Sequence, residues 1–143
     1  MLERSRARGW ALQVLYVWES RGITTPLETL GQFERERRIR PTVRPYLRRL
    51  VELVEMHRHT LDAEIAQGLT NWRLERLSAI DRNILRLAAA ELRHAPDVPP
   101  KVTLKEALRL ADRYGTTESP RFVNGVLDAL MRAGNPENGG AES

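Results

Sequence analysis

The 143 residues include no cysteine, which excludes disulfides, thiolate metal sites and thiol nucleophiles from this stretch of chain. Aromatic residues make up only 6%, so the core must be built from the Leu, Val, Ile and Ala that dominate the 41% hydrophobic content. No apolar run approaches the ~18 residues that span a membrane. The N-terminus has no apolar segment of the signal-peptide kind, and the expectation is a cytoplasmic protein. Catalytic signatures are missing too: there is no P-loop, no G-x-G-x-x-G and no G-x-S-x-G. His57 and His59 lie two apart, so on a helix they face different ways and do not share a metal as an i, i+4 pair does. His94 stands alone near an expected helix end, where it reads as a partner for terminal carbonyls. Nothing marks two carboxylates as a working pair. No enzyme activity, metal or cofactor is expected.

Arginine, by contrast, is abundant. Lys101 and Lys105 are the only lysines, and the other 21 of the 23 cations are arginine. Either genomic base composition or a need for planar, bidentate phosphate contacts produces such a bias. The net charge of +4 is unevenly spread. Residues 1–60 carry 12 arginines against 7 acids, while residues 61–143 carry 11 cations against 12 acids. The basic excess lies wholly in the first half.

The apolar periodicity is helical throughout, and no segment alternates as a strand would. Ala7, Trp10, Ala11, Val14, Leu15 and Trp18 mark a first helix. "TPLE" (25–28) is a capping box opening a short helix through Leu27, Leu30 and Phe33. "ERERRIRPTVRP" (34–45) is a charged, proline-bounded connection. A long helix follows from Pro45 to about Leu69, broken by "TNW". Another spans about Ser78 to His94. "TLKE" (103–106) reads as a second capping box, and Gly115 stops the helix it opens. "SPRFVNGVLDAL" (119–130) pairs a hairpin-like Asn-Gly with helical spacing at Phe122, Val123, Val126, Leu127 and Leu130; Ser119 as N-cap and Pro120 at the first position decide for a helix. The expected architecture is all-α, about six to seven helices in two small bundles packed together. The expected divisions are 1–70, 71–133 and a disordered tail at 134–143.

Three features call for a role. Arg4, Arg6 and Arg8 sit in the opening turn of the first helix, where the helix dipole disfavours cations. A polyanion such as RNA lying across that turn reverses the penalty; a solvated, frayed terminus is the plainer reading. Glycine in a solvated helix costs about 1 kcal/mol against alanine, so Gly125 implies close packing on the second side of its helix, with the Asn124 amide bonding a neighbouring loop. Glu91 falls inside the apolar stripe Ile84–Leu87–Ala88–Leu92. A buried carboxylate needs donors, and Lys101 or the free N–H groups before the Thr103 helix are the expected ones.

"RARGWALQVLYVWE" (6–19), "LERLSAIDRNILRLAAAEL" (74–92), "DVPPKVTLKEALRLADRYG" (97–115) and above all "SPRFVNGVLD" (119–128) resemble the NusB family of bacterial transcription antitermination factors. The likeness spans nearly the whole chain in order; residues 20–70 share only the helical pattern. The resemblance implies two packed helical bundles and binding of boxA, a short single-stranded RNA element of ribosomal leader transcripts. It implies partnership with the ribosomal protein NusE, in a complex that lets RNA polymerase pass terminators. The family's arginine-rich motif falls on Arg4, Arg6 and Arg8, with Ser5 interrupting a run that is often continuous. Its second RNA region falls on Glu118, where Asp is common, and Phe122. Tyr16 and Arg86 match positions at the RNA surface, and Tyr16 and Asp81 positions at the partner surface. Two alternatives stand beside this reading. One is the NusB-like RNA-binding domain of an rRNA cytosine methyltransferase, which requires a catalytic portion these residues lack. The other is a homodimeric structural module that binds no RNA.

Overall fold

The computed structural model describes residues 2–22 and 24–134. The expected tail lies, Gly134 apart, outside them. Six α-helices and one 3₁₀ turn make up the described fold: α1 (Leu2–Arg21), α2 (Pro26–Glu36), α3 (Arg44–Gln67), the turn Leu74–Arg76, α4 (Ala79–His94), α5 (Pro100–Tyr114) and α6 (Ser119–Ala133). No strand occurs among the described residues.

Local chemistry sets most of the boundaries. Gly22, with φ at +70°, ends α1 in the left-handed conformation that side chains disfavour. Thr25 caps α2 as a full capping box: its hydroxyl accepts from the Glu28 N–H while the Glu28 carboxylate accepts from the Thr25 N–H. Ser78 caps α4 by accepting from the Asp81 N–H. "TLKE" does not act as a cap. Pro100 begins α5 instead, three residues earlier, as proline at a first helical position does. Ser119 is likewise not the N-cap of α6, a position held by Glu118. Its Oγ accepts from the Thr116 N–H at 3.0 Å, closing the turn before the helix. A Cβ on Gly115 would collide with Ser119, so this tight turn requires glycine.

α4 is the centre of the molecule. Residues 83–91 are all buried, on every face of the helix. Three successive alanines, Ala88, Ala89 and Ala90, let neighbouring helices approach closely, and α1, α3, α5 and α6 all pack against it. One continuous hydrophobic core therefore links all six helices.

A helix buried all round must also satisfy its polar residues inside. Glu91 accepts from Arg8 Nε at 2.7 Å, Tyr46 Oη at 2.5 Å and Thr103 Oγ1 at 2.8 Å. The buried carboxylate was legible in the sequence, but its donors are three side chains from α1, α3 and α5, not Lys101 or backbone N–H groups. At the other end of α4, Glu19 of α1 takes Arg82 at 2.7 Å and Arg86 at 2.7 Å, and Arg86 also pairs with Asp62 of α3 at 2.8 Å. Burial by itself would raise the Glu19 pKa; hydrogen bonds from Arg82 and Arg86 outweigh it and hold the group below the ordinary carboxylate range. His94 is not alone: its ring stacks on His57, with centroids 3.6 Å apart.

Glu91→Ala is expected to cost about 3–5 kcal/mol in denaturant unfolding, because it leaves the buried Arg8 charge only the longer Glu106 contact and strands two hydroxyl donors. Arg8→Met combined with Glu91→Leu should cost much less than the two single changes summed. A loss under about 1 kcal/mol for Glu91→Ala would remove the pair from its structural role. The Glu19 contribution has a defined pH sense. With its folded pKa depressed, it is complete above the unfolded value near 4.5 and is lost as pH falls through the folded one. Glu19→Gln should therefore lower the melting temperature at neutral pH and flatten its acid decline; an unchanged acid limb would count against the pairing.

Candidate nucleic-acid interface

The three arginines of the first turn part company. Residues two apart on a helix lie about 200° apart, so Arg4 and Arg8 share a face and Arg6 takes the opposite one. Arg4 and Arg8 both approach the Tyr46 ring, at 4.4 Å and 5.5 Å from its centroid. Arg8 is only 5% exposed. Burial by itself would lower its pKa, and the bond and charge of Glu91 more than offset this, so it stays a locked cation. Arg8, expected at the RNA surface, has its guanidinium enclosed between Glu91 and Glu106 in this structure. Arg86, also expected there, is 5% exposed and bonded to Glu19, Asp62 and Asn83.

Arg6 is exposed and lines an open cleft of about 490 Å³ between α1 and α5. Trp10 and Tyr114 form its aromatic walls, and Arg109 and Arg113 add two cations from α5. Arg109 is partly engaged, donating to the Ser5 carbonyl at 3.0 Å and to Glu106 at 3.1 Å. Sequence reasoning missed Trp10, Arg109, Arg113 and Tyr114 as site residues. Trp10 lies four residues from Arg6 on the same face of α1, whereas only packing of α5 alongside α1 brings Arg109, Arg113 and Tyr114 to them.

A second hollow, about 240 Å³, lies where α4 and α6 begin. Trp72, Arg76, Leu77, Asp81, Glu118 and Phe122 line it. Trp72 is 60% exposed. Phe122 is half-buried and packs its inner side on the core. Asp81 Oδ1 is buried without a hydrogen-bond partner among the described residues, an unmet acceptor of the kind native structures rarely keep without a reason. Tyr114 of the cleft and Glu118 of the hollow are four residues apart, so about 14 Å of chain at most separates them. Tyr16, 44% exposed, is three residues beyond the cleft residue Gln13 and so on the same face of α1. Arginines and aromatics thus run from the first turn of α1 to the mouth of α6.

Gly125 and Asn124 depart from expectation. Both are exposed, a Cβ on Gly125 would meet nothing within 4 Å, and Asn124 makes no side-chain hydrogen bond among the described residues. No neighbouring helix among the described residues accounts for the glycine.

A sequence model of the NusB family matches residues 5–132. The chain belongs to the NusB family. The transcription antitermination protein NusB of Sorangium cellulosum (strain So ce56) is 45% identical over 127 residues, covering 89% of this chain and 90% of the relative. That of Myxococcus xanthus (strain DK1622) is 43% identical, covering 92% and 96%. Among solved structures, T. maritima NusB superimposes with a TM-score of 0.84 at 33% identity, covering 94% of this chain and 95% of that one. A crystal structure of the antitermination factors NusB and NusE in complex with dsRNA gives 0.83 at 31% identity, covering 93% and 98%. The all-helical NusB architecture expected from the sequence is the one observed.

Gly125→Ala is expected to stabilise this NusB-family fold by about 0.5–1 kcal/mol, since the added methyl enters open space on a regular helix. Destabilisation would mean that a close neighbour has been overlooked. A more stable variant that has lost a binding partner would place the close approach on that partner.

Proposed function

We propose that this chain is an antitermination factor that holds a single-stranded boxA-type RNA together with NusE, so that RNA polymerase passes terminators. The observation that carries the reading is the track from the Arg6–Trp10–Tyr114–Arg113 cleft to the Asp81–Glu118–Phe122–Trp72 hollow. Its two ends suit two tasks. The cleft offers guanidinium groups, which attract phosphate whatever the sequence. The hollow offers carboxylates and aromatic faces. Carboxylates repel phosphate but accept hydrogen bonds from base amino groups, and aromatic rings stack on unpaired bases. Arg4 and Arg6 supply charge from the first turn of α1. Phe122 and Trp72 supply stacking, and Glu118 and Asp81 supply acceptors. Tyr16 and Asp81 are assigned to the NusE contact on this reading. Membership of the NusB family, and a relative that co-crystallises with NusE and dsRNA, support RNA binding beside NusE. The reading makes the protein a binding factor, not an enzyme, acting in the cytoplasm.

The test sets charge against stacking. Single-stranded boxA RNA should bind in preference to duplex DNA, with duplex RNA as the third arm. With about three to five phosphates neutralised, log K should fall with log salt at a slope of roughly −2 to −3.5. Arg4→Gln with Arg6→Gln should weaken all single-stranded RNAs alike and flatten that slope. Phe122→Ala should keep the slope and lose about tenfold or more in affinity, as one stacked base is worth about 1–3 kcal/mol. A flat wild-type slope, or equal affinity for duplex DNA, would overturn the reading. A Phe122→Ala protein that melts earlier but binds normally when folded would take Phe122 out of the site.

A further inference from the structure

The proline-bounded connection between α2 and α3 has no part in the track described above, yet it holds much of the basic excess. Residues 34–49 carry seven arginines, Arg35, Arg37, Arg38, Arg40, Arg44, Arg48 and Arg49, against two glutamates. Six of the seven are exposed, Arg49 being half-buried. Internal pairing takes up two: Arg48 binds Glu34 at 3.1 Å and Arg49 binds Asp97 at 2.8 Å. Arg44 uses its Nε on the Ile39 carbonyl, and Arg37 lies over the Phe33 ring. Arg35, Arg38 and Arg40 have no acid within ion-pair distance among the described residues.

The backbone carrying these arginines is pinned. Ile39 and Val43 are 3% and 1% exposed, inserted in the core between the arginines, and the Val43 N–H closes a turn onto the Arg40 carbonyl at 2.9 Å. Charges held out on an anchored turn lose little backbone freedom on binding, which favours a standing surface over a frayed loop.

The corner is also continuous with the first turn of α1. An open groove of about 570 Å³ runs between them, lined by Glu3, Arg4, Thr42, Pro45, Tyr46 and Arg49. Asp97 ties its two sides together, accepting from Arg4 at 3.1 Å and from Arg49 at 2.8 Å. Arg4 faces this groove while Arg6, on the opposite side of α1, faces the cleft. A strand leaving the cleft across the N-terminal turn of α1 arrives at the arginine corner.

We propose that the corner formed by residues 35–48 is a second, sequence-indifferent phosphate-binding surface, which carries the RNA flanking the element held in the cleft and hollow. The inference rests on the RNA-binding reading and extends it. The chemistry favours a nucleic acid backbone over an acidic protein. The large exposed apolar side chains are Leu2, Tyr16, Met56 and Trp72, and none lies in the corner. Protein interfaces are organised around buried aromatic and apolar anchors, whereas phosphate backbones are held by cations alone.

The test compares a short RNA carrying only the recognised element with the same RNA extended at one end or the other by about ten uridines, a length within the reach of a single-strand site. Wild type should bind one of the two extended RNAs about tenfold more tightly than the short one near 0.1 M salt. Its salt slope should be steeper by about 2, as three more phosphates at about 0.7 each require. The variant carrying Arg35→Gln, Arg38→Gln and Arg40→Gln should melt as wild type does, bind the short RNA equally well and lose the gain from extension. A gain that persists in the variant, or no gain from either extension, would overturn the proposal. So would a folded variant that has lost the short RNA, since the corner would then belong to the element itself. Polyglutamate that abolishes the gain where polyuridine does not would give the corner to an acidic protein. If wild type binds neither RNA, the underlying reading fails first and this one with it.

Discussion

The buried Arg8–Glu91 ion pair is the contact around which the other helices are arranged. α4 runs through the middle of the molecule with no face left for water, so a carboxylate on it must be answered from inside. The three donors come from three different helices, α1, α3 and α5. Each helix is thereby held in rotation and in register against α4. The opposite end of α4 repeats the device with the charges exchanged, Glu19 on α1 facing Arg82 and Arg86 on α4. Sliding α1 by a turn, or reversing it, would bury these charges against apolar side chains or like charges. Ion pairs of this kind add little net stability over well-packed apolar residues, but mispairing them is costly. Their effect here is to make one packing arrangement much better than its neighbours.

That interior arrangement decides what is left on the surface. Fixing Arg8 inward sets the rotation of α1, and the rotation sends Arg6 to one side and Arg4 to the other. The arginine-rich first turn is therefore divided by the helix that carries it. On one side guanidiniums meet Trp10 and Tyr114; on the other they meet Tyr46 and the arginine-rich corner. The same ion pair that organises the core sets the bearing of each surface arginine.

Much of the fold was legible in the sequence because it depends on local chemistry. The Thr25 capping box, the start of a helix near Ser78 and the helical spacing of 119–130 each rest on near neighbours in sequence, and each appears in the structure. "TLKE" shows the limit. Its pattern fits a cap, but Pro100 offers an earlier start and Thr103 is drawn inside to Glu91. The site was legible in part. Phe122 and Glu118 line the hollow, and Arg6 lines the cleft. The fate of Arg8 had a signal that went unread: it precedes Leu12 and Leu15 by four and seven residues, on the buried stripe, while Glu91 breaks a stripe elsewhere. Two opposite charges on two apolar faces are candidates for each other. Trp10 was within reach of the same reasoning, four residues from Arg6 on one helix face; Arg109, Arg113 and Tyr114 had no such signal, because their meeting with Arg6 depends on how α5 lies against α1. Gly125 shows a different limit. Its helix penalty says that something needs the space, not whether that something belongs to this chain.

The distribution of charge along the track bears on how affinity and selectivity divide. A surface that bound RNA only by attraction would place cations everywhere the strand passes. Here the hollow at α6 carries Asp81 and Glu118 with Arg76 as its one cation, and one Asp81 oxygen has no partner of its own. Such a hollow works against a bare phosphate backbone. On the proposed reading it becomes favourable only when a base enters that can stack on Phe122 or Trp72 and donate to the carboxylates. The penalty on the wrong ligand is as much a part of selectivity as the gain from the right one. The arginines of the cleft and the corner then offset the repulsion the acids impose. On this division the arginines of α1, α5 and the corner supply attraction that any RNA can use, and the acidic hollow restricts which sequence settles there.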